Sequence, residues 1–143
     1  MKNLYKFLTF LIIFITSSFI SLSQDLLITG IFDGPLSHKP RGLELYVVND
    51  IPDLSIYGLG IANNGGGSDG QEYTFPNDSY LAGDFIYILH GATEFTSYFG
   101  ITPTYVYGSL NINGDDPIEL YHNNSVVDVF GDVCCDGSGY AWD

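Results

Sequence analysis

The sequence predicts an all-β protein, folded as an immunoglobulin-like β-sandwich with one short helix. Tyr and Phe are plentiful, with 11 and 10 residues, whereas Lys and Arg together number only four, and this composition favours strands over helices. The 17 glycines supply tight turns. Apolar segments of strand length recur between turn residues along the chain, and six or more short strands in one domain predict a sandwich.

Six apolar segments are the predicted strands. In the second segment, Leu43, Leu45 and Val47 alternate with Glu44 and Tyr46, so one face of this strand is expected in a core and the other in water. The predicted strands are Leu26–Phe32, Leu43–Val48, Leu54–Ile61, Phe85–Leu89, Ile118–Tyr121 and Val126–Phe130. Turns are expected at Asp33-Gly34-Pro35, Asn64 to Gly67, Asn113-Gly114-Asp115 and Asn123-Asn124.

One segment breaks the strand pattern. Phe95 and Phe99 lie four residues apart after Thr93-Glu94, a spacing that puts both rings on one face of a helix. We expect a short helix at 92–99 that crosses one end of the sandwich.

The N-terminal segment has the features of a secretory signal peptide. Lys2 and Lys6 precede an uncharged apolar run, and Ser21 and Ser23 place small residues before a cleavage site. The apolar run is shorter than the roughly 20 residues that span a bilayer, which disfavours a retained anchor. We expect residues 1–23 to be removed, leaving 24–143 as one secreted or cell-surface domain without stable membrane insertion.

The mature chain is strongly acidic. Loss of Lys2 and Lys6 leaves two basic residues against 17 acidic ones, a net charge of −15. Nucleic-acid binding requires a basic patch that replaces phosphate counterions, so the sequence disfavours nucleic acid as a partner. We expect the partner to be an extracellular protein or a polysaccharide.

Five blocks follow one another in order through nearly the whole mature chain: Gly42 to Tyr46 with Asn49, Asp53 to Gly58, Leu81 to Tyr87, Asn111 to Leu120, and Asn124 to Asp128. Their order resembles the lamin-tail domain in the secreted form common in Bacteroidetes. The resemblance implies an immunoglobulin-like sandwich that occurs beside exported nucleases, phosphatases or adhesive repeats and is not itself a catalyst. Such domains usually continue past the tryptophan equivalent to Trp142, so the resemblance also implies that a chain ending at Asp143 is truncated.

Catalytic patterns are weak in this chain. Ser68 lies in Gly-Gly-Ser-Asp-Gly, which matches the nucleophile elbow of serine hydrolases, but an elbow requires a buried strand before the serine and a helix after it. His38, His90 and His122 are far apart and lack the spacing of zinc ligands. We therefore expect no catalytic residues and no enzyme activity.

The C-terminal stretch 132–143 has part of the spacing of a calcium loop. Asp132, Asp136 and Asp143 occupy positions 1, 5 and 12, with Gly137 at position 6. Cys134 occupies position 3, where an oxygen ligand is expected. Two interpretations stay open: a weak Ca²⁺ site on the three aspartates, and an acidic turn that binds no ion.

Cys134 and Cys135 are the only cysteines and are adjacent, so they cannot close an ordinary disulfide loop. A strained vicinal ring, two free thiols and bridges to another chain all stay open.

The sequence as a whole predicts a secreted, non-catalytic binding or accessory domain for adhesion or targeting. The alternative is the N-terminal fragment of a larger exported enzyme such as a nuclease or phosphatase. Among ligands, sugars that stack on exposed aromatic rings are a further hypothesis, although most rings are expected in the core.

Overall fold

The computed structural model describes residues 24–139, which form two β-sheets of four strands each and one short α-helix. The predicted signal peptide and residues 140–143 lie outside this range. Within residues 24–139, no helix has the length and apolar character needed to cross a membrane. The elements are β1 (Leu26–Asp33), β2 (Arg41–Val47), β3 (Tyr57–Ile61), β4 (Tyr73–Thr74), β5 (Phe85–Leu89), α1 (Ala92–Phe99), β6 (Tyr105–Val106), β7 (Ile118–His122) and β8 (Ser125–Phe130).

The two sheets have the orders β1-β2-β5-β6 and β4-β3-β7-β8. All pairs are antiparallel except β5 with β6, which is parallel. Leu43, Leu45 and Val47 are fully buried, whereas Glu44 and Tyr46 are half-buried, so the predicted alternation is confirmed. The buried core includes aliphatic side chains of both sheets, among them Leu26, Ile86, Ile88, Leu59, Ile118 and Leu120.

The sequence prediction of an all-β sandwich with one short helix is confirmed, with two corrections. The first part of the predicted strand Leu54–Ile61 is wrong, because Leu54–Ile56 forms a turn of 3-10 helix and β3 begins only at Tyr57. The cause is Asp53, whose carboxylate accepts the Ser55 backbone N–H at 2.8 Å and so caps this turn. The two-residue strands β4 and β6 were missed because two residues cannot show an alternating pattern.

Helix α1 has the predicted bounds and packs on the outer face of the first sheet. Phe95, which is 1% exposed, has its ring centroid 5.4 Å from the rings of both Phe32 and Tyr87. Gly100 ends the helix in the left-handed conformation, with φ 74°, as is usual for a glycine at this position. The helix therefore covers the end of β1.

Several loops meet at one end of the sandwich, which we call the loop end. It comprises the β1–β2 loop, residues 62–67 after β3, residues 107–117 before β7, residues 131–139 after β8, and α1. Two contacts join these loops: the Gly67 N–H donates to the Val133 carbonyl at 2.8 Å, and the Gly137 N–H donates to the Asp115 carbonyl at 2.9 Å. The predicted turn residues Asn64 and Gly114 have the positive φ values of 51° and 89° that these turns require.

Candidate functional site

The loop end contains a polar recess of about 180 Å³ that is open to solvent. Its side chains come from the β1–β2 loop and the start of β2, from the loop after β3, and from the loop before β7. All of them are polar: His38, Arg41, Asn63, Asn64, Asn111, Asn113 and Asp116. Amide, carboxylate, imidazole and guanidinium groups together present hydrogen-bond donors and acceptors to the same space.

Arg41 begins β2 and is half-buried. Its Nε donates to the His38 carbonyl at 3.2 Å, and its guanidinium also donates to the side-chain oxygen of Asn111. Within residues 24–139 the ion pairs are His38–Asp33 and Lys39–Glu94, so Arg41 has no carboxylate partner there. Because a guanidinium carries five N–H donors, Arg41 retains donors for a ligand.

Asp116 is the buried acid of the polar recess. It is 4% exposed, and its Oδ1 accepts the Asn64 backbone N–H at 2.7 Å. This bond fixes the loop after β3 to the loop before β7. Although Asp116 and Arg41 line the same recess, they form no ion pair with each other, so the recess contains one negative and one positive group that do not neutralise each other by direct contact.

An aromatic groove of about 240 Å³ lies on the other side of the β1–β2 loop. Tyr98 is 67% exposed and Phe99 is 45% exposed. The Phe99 ring is held 4.9 Å from Phe95 and 5.5 Å from Phe32, and the Tyr98 ring lies 5.0 Å from Phe99. The groove is lined by Ile31, Phe32, Asp33, Gly34, Pro35, Pro40, Tyr98 and Phe99.

The polar recess and the aromatic groove adjoin. His38 lines the recess and Asp33 lines the groove, and His38 Nδ1 lies 3.2 Å from both carboxylate oxygens of Asp33. A small depression between them shares Arg41 with the recess and Pro40 with the groove. We call this continuous face around the β1–β2 loop the loop-end surface.

Ser68 lies in an irregular loop between β3 and β4, not in the strand-turn-helix that an elbow requires. Its hydroxyl donates to Glu119 Oε2 at 2.7 Å, and the Tyr121 hydroxyl donates to the same oxygen at 2.8 Å. Glu119 and Tyr121 are each 4% exposed, and burial raises the pKa of the Tyr121 phenol. We call these three residues the covered cluster, because the loop that carries Ser68 lies over the other two.

The three histidines occupy separate places in the structure. His38 contacts Asp33, His90 Nδ1 lies 3.2 Å from the Leu110 carbonyl oxygen, and the His122 ring stacks on Tyr57 at 4.7 Å. Of the three, only His38 lines the polar recess.

The predicted calcium ligands lie only in part within the described residues. Asp132 and Asp136 each accept a backbone N–H of their own turn at 3.0 Å, from Cys134 and from Ser138. Asp143 lies outside the described range. Within residues 24–139, no group of three or more His, Cys, Asp or Glu side chains could hold a metal ion. The three-aspartate Ca²⁺ site stays a prediction, which melting in EDTA, Ca²⁺ and Mg²⁺ can test.

Both cysteines are free thiols in the structure. Cys135 Sγ donates to Asp132 Oδ2 at 3.4 Å, and this hydrogen bond to a carboxylate raises the pKa of the Cys135 thiol. A raised pKa lowers the fraction of reactive thiolate, so the thiol of Cys135 is held in a less reactive form.

Sequence reasoning missed the members of the polar recess. Asn64 and Asn113 were interpreted only as turn residues, Asn63 was not singled out, and Arg41 was only one of two remaining basic residues. The one available signal was that two separate loops, 62–67 and 111–116, both combine asparagine with glycine.

No protein-family model, curated protein or solved structure matches this chain. The lamin-tail resemblance therefore stays a prediction that depends on the five ordered blocks.

Proposed function

We propose that the mature domain is a secreted, non-catalytic binding module of the lamin-tail type that engages an extracellular partner through the loop-end surface. One observation carries this proposal: the polar recess and the aromatic groove adjoin on a solvent-open face of a firmly packed sandwich. Ligand sites combine apolar and aromatic walls with a few placed polar groups, and the loop-end surface has both.

The position of the sequence blocks supports the lamin-tail type. The Gly42 to Tyr46 block forms most of β2, and the Leu81 to Tyr87 block forms the turn into β5 and its first half. Gly83 has φ 97° in that turn, and Asp84 accepts the Leu81 N–H at 2.9 Å. These blocks therefore specify the sandwich, whereas the Asn111 to Leu120 block contributes both to β7 and to the polar recess.

A non-catalytic role is supported by the placement of Ser68. It lies in an irregular loop and not at the strand-to-helix turn of a nucleophile elbow, and the Glu119 oxygen that accepts its hydroxyl also accepts the Tyr121 hydroxyl. In the covered cluster, the bond to Glu119 attaches the loop to the sheet.

Export can be tested with the full-length chain. Expressed in a bacterial host with its own N-terminus, the protein should appear outside the cytoplasm with Gln24 as its first residue. Retention of an intact N-terminus in the membrane fraction would contradict a cleaved signal peptide.

Binding without turnover can be tested with the mature protein. It should bind a protein or polysaccharide fraction prepared from the extracellular material of the organism that produces it. The double variant Tyr98→Ala, Asn113→Ala should lose this binding. A matched double variant away from the site, Phe85→Ala with Asn77→Ala, is the control, since both residues are exposed. Metal-dependent turnover of nucleic acid, ester or peptide substrates by the pure protein would contradict the proposal, as would binding that both double variants retain.

A further inference from the structure

We infer that the ligand of the loop-end surface is a neutral polysaccharide chain, with one sugar ring stacked on Tyr98 beside Phe99 and the hydroxyls of a neighbouring sugar hydrogen-bonded in the polar recess. This inference rests on the proposed function and specifies its ligand.

The two halves of the surface match the two sides of a sugar. A pyranose ring has an apolar C–H face and an edge of hydroxyl groups. Tyr98 and Phe99 offer exposed rings that meet edge to face at 66°, so a sugar can stack on the face of Tyr98 beside Phe99. Phe99 is held by its ring contacts with Phe95 and Phe32 and in turn contacts Tyr98. Stacking on a held ring costs little side-chain entropy. The apolar face of a sugar therefore fits the groove.

The polar recess fits hydroxyl groups better than it fits the side chains of a peptide. All its lining residues are polar, so an apolar side chain placed there would bury no apolar surface in return. A hydroxyl both donates and accepts hydrogen bonds. The side-chain amides of Asn63 and Asn113 can do the same, since the amide oxygen accepts from a hydroxyl and the amide N–H donates to it. At about 180 and 240 Å³, the recess and the groove are each smaller than a typical drug-sized pocket of roughly 300 Å³ or more, which suits successive small units of one chain.

The charges favour a neutral chain over an acidic one. Asp116 lines the recess and Asp33 lines the groove, so carboxylates stand on both sides of Arg41. The mature chain also carries a net charge of −15, which repels a polyanion until salt screens it. Within the recess, Arg41 and Asp116 balance each other, and both can bind hydroxyls.

The test uses affinity electrophoresis of the mature protein in native gels. The gels contain one soluble polysaccharide each: the neutral chains are mixed-linkage glucan, xylan, galactomannan and arabinogalactan, and the acidic chains are alginate and polygalacturonate. At least one neutral chain should retard the wild-type protein. Tyr98→Ala and Asn113→Ala should each weaken that binding about tenfold, which corresponds to about 1.4 kcal/mol.

Three controls locate the effect. Tyr98→Phe keeps the ring and should recover most of the binding that Tyr98→Ala loses. Phe85→Ala and Asn77→Ala remove an exposed ring and an exposed amide elsewhere and should bind within about twofold of wild type (about 0.4 kcal/mol). Melting temperatures within a degree or two of wild type would show that each variant is folded. A variant that fails this check is replaced by amide-shift mapping of the wild-type protein with fragments of the bound polysaccharide.

The outcomes separate this inference from the proposed function. Loop-end-dependent binding to a host protein fraction, with no retardation by any neutral polysaccharide, would overturn the inference and leave the proposed function intact. Stronger binding to the acidic chains would overturn the neutral assignment. Loss of binding in Phe85→Ala but not in Tyr98→Ala would overturn the location. If the mature protein binds neither fraction nor any polysaccharide, both proposals fail.

Discussion

The covered cluster and the polar recess both consist of polar side chains. They differ in whether the hydrogen-bonding groups of those side chains are satisfied within the protein or are open to solvent. In the covered cluster, the hydroxyls of Ser68 and Tyr121 both donate to one oxygen of Glu119, and Glu119 is 4% exposed. In the recess, Arg41 uses two of its donors within the protein. The residues around it include the exposed His38, Asn63, Asn64 and Asn111. Polar groups that are satisfied internally stabilise the fold, whereas those directed at solvent are available to a ligand.

Glycine explains why one cluster is covered. Gly60 lies opposite Glu119 in the β3–β7 register, and a Cβ at Gly60 would lie 2.6 Å from the Gly70 carbonyl oxygen. Gly58 lies opposite Tyr121, and a Cβ there would lie 2.3 Å from the Tyr73 carbonyl oxygen. The missing side chains let the loop after β3 close over the sheet, whereas among residues 24–139 no such loop closes over the loop-end surface.

The largest effect is expected for Glu119→Ala. This change removes the charged acceptor of both hydroxyls and leaves them only their mutual contact at 3.0 Å, which we expect to lower the free energy of unfolding by about 3 kcal/mol. Urea denaturation of the mature protein measures it. Glu119→Gln keeps an acceptor oxygen and should restore part of the loss. Equal stability of Glu119→Ala and wild type would mean that the cluster does not hold the loop.

The next effect tests the contact between the loops of the loop end. Gly65 has φ 66°, and a Cβ there would lie 2.1 Å from the Cys135 carbonyl carbon, so Gly65→Ala should cost about 2 kcal/mol or more. Gly67→Ala is the matched control. Gly67 also has a positive φ, of 90°, but no atom lies within 4 Å of its Cβ position, so it should cost only about 1 kcal/mol.

Gly65→Ala should also weaken ligand binding at the loop end. The loop that this change displaces also contains Asn63 and Asn64, which line the polar recess. If both glycine variants lose the same stability, the close approach of Cys135 to Gly65 is not part of the native packing.

Alkaline pH should destabilise the folded protein through its buried and half-buried tyrosines. Burial, followed by hydrogen bonds to Tyr80 and Asp78, holds the pKa of Tyr105 far above its ordinary value, and burial also raises the pKa of Tyr57 and Tyr73. Each of these phenols therefore ionises at a higher pH in the folded protein than in the unfolded chain, where it ionises near pH 10. Their contribution is therefore complete below about pH 10 and is lost as pH rises above it.

The melting temperature should accordingly fall between about pH 9.5 and 11, and Tyr105→Phe should reduce the slope of this fall. Phenolate absorbance recorded in the same titration should rise together with unfolding. A phenolate signal from all tyrosines in the folded protein near pH 10 would contradict the burial argument.

The smallest effect on stability is expected at the loop-end surface. Tyr98 is mostly exposed, and Asn113 faces the recess, so Tyr98→Ala and Asn113→Ala should each change the free energy of unfolding by no more than about 0.5 kcal/mol. Urea denaturation beside Glu119→Ala makes the comparison direct. A loss as large as that of Glu119→Ala would assign these residues to the fold.

The sequence predicted most of the fold because its signals are local. Alternation in β2, the spacing of Phe95 and Phe99, and asparagine or glycine at positive-φ turns can each be recognised within a few residues. The 3-10 turn at Leu54–Ile56 was missed because an Asp53 side-chain bond overrides a strand-like composition. Asp53 is itself a local capping signal, but the apolar run after it was interpreted as a strand from its first residue.

The candidate site could not be predicted, because its residues meet only through the fold. Arg41 and Asn111 are 70 residues apart, as Asn64 and Asp116 are 52 apart. Their contact depends on how the two sheets stack and on which loops share an end. A single sequence without its fold contains no pattern that links such positions.

Amide-shift mapping tests the central claim most directly. Titration of the ¹⁵N-labelled mature protein with a soluble fragment of the polysaccharide that binds it should shift residues 34–41, 63–64, 98–99 and 111–116. The covered cluster, at Ser68, Glu119 and Tyr121, should stay unchanged. Shifts that centre on the covered cluster, or on the outer edge of β8, would contradict the assignment of the loop-end surface as the binding face.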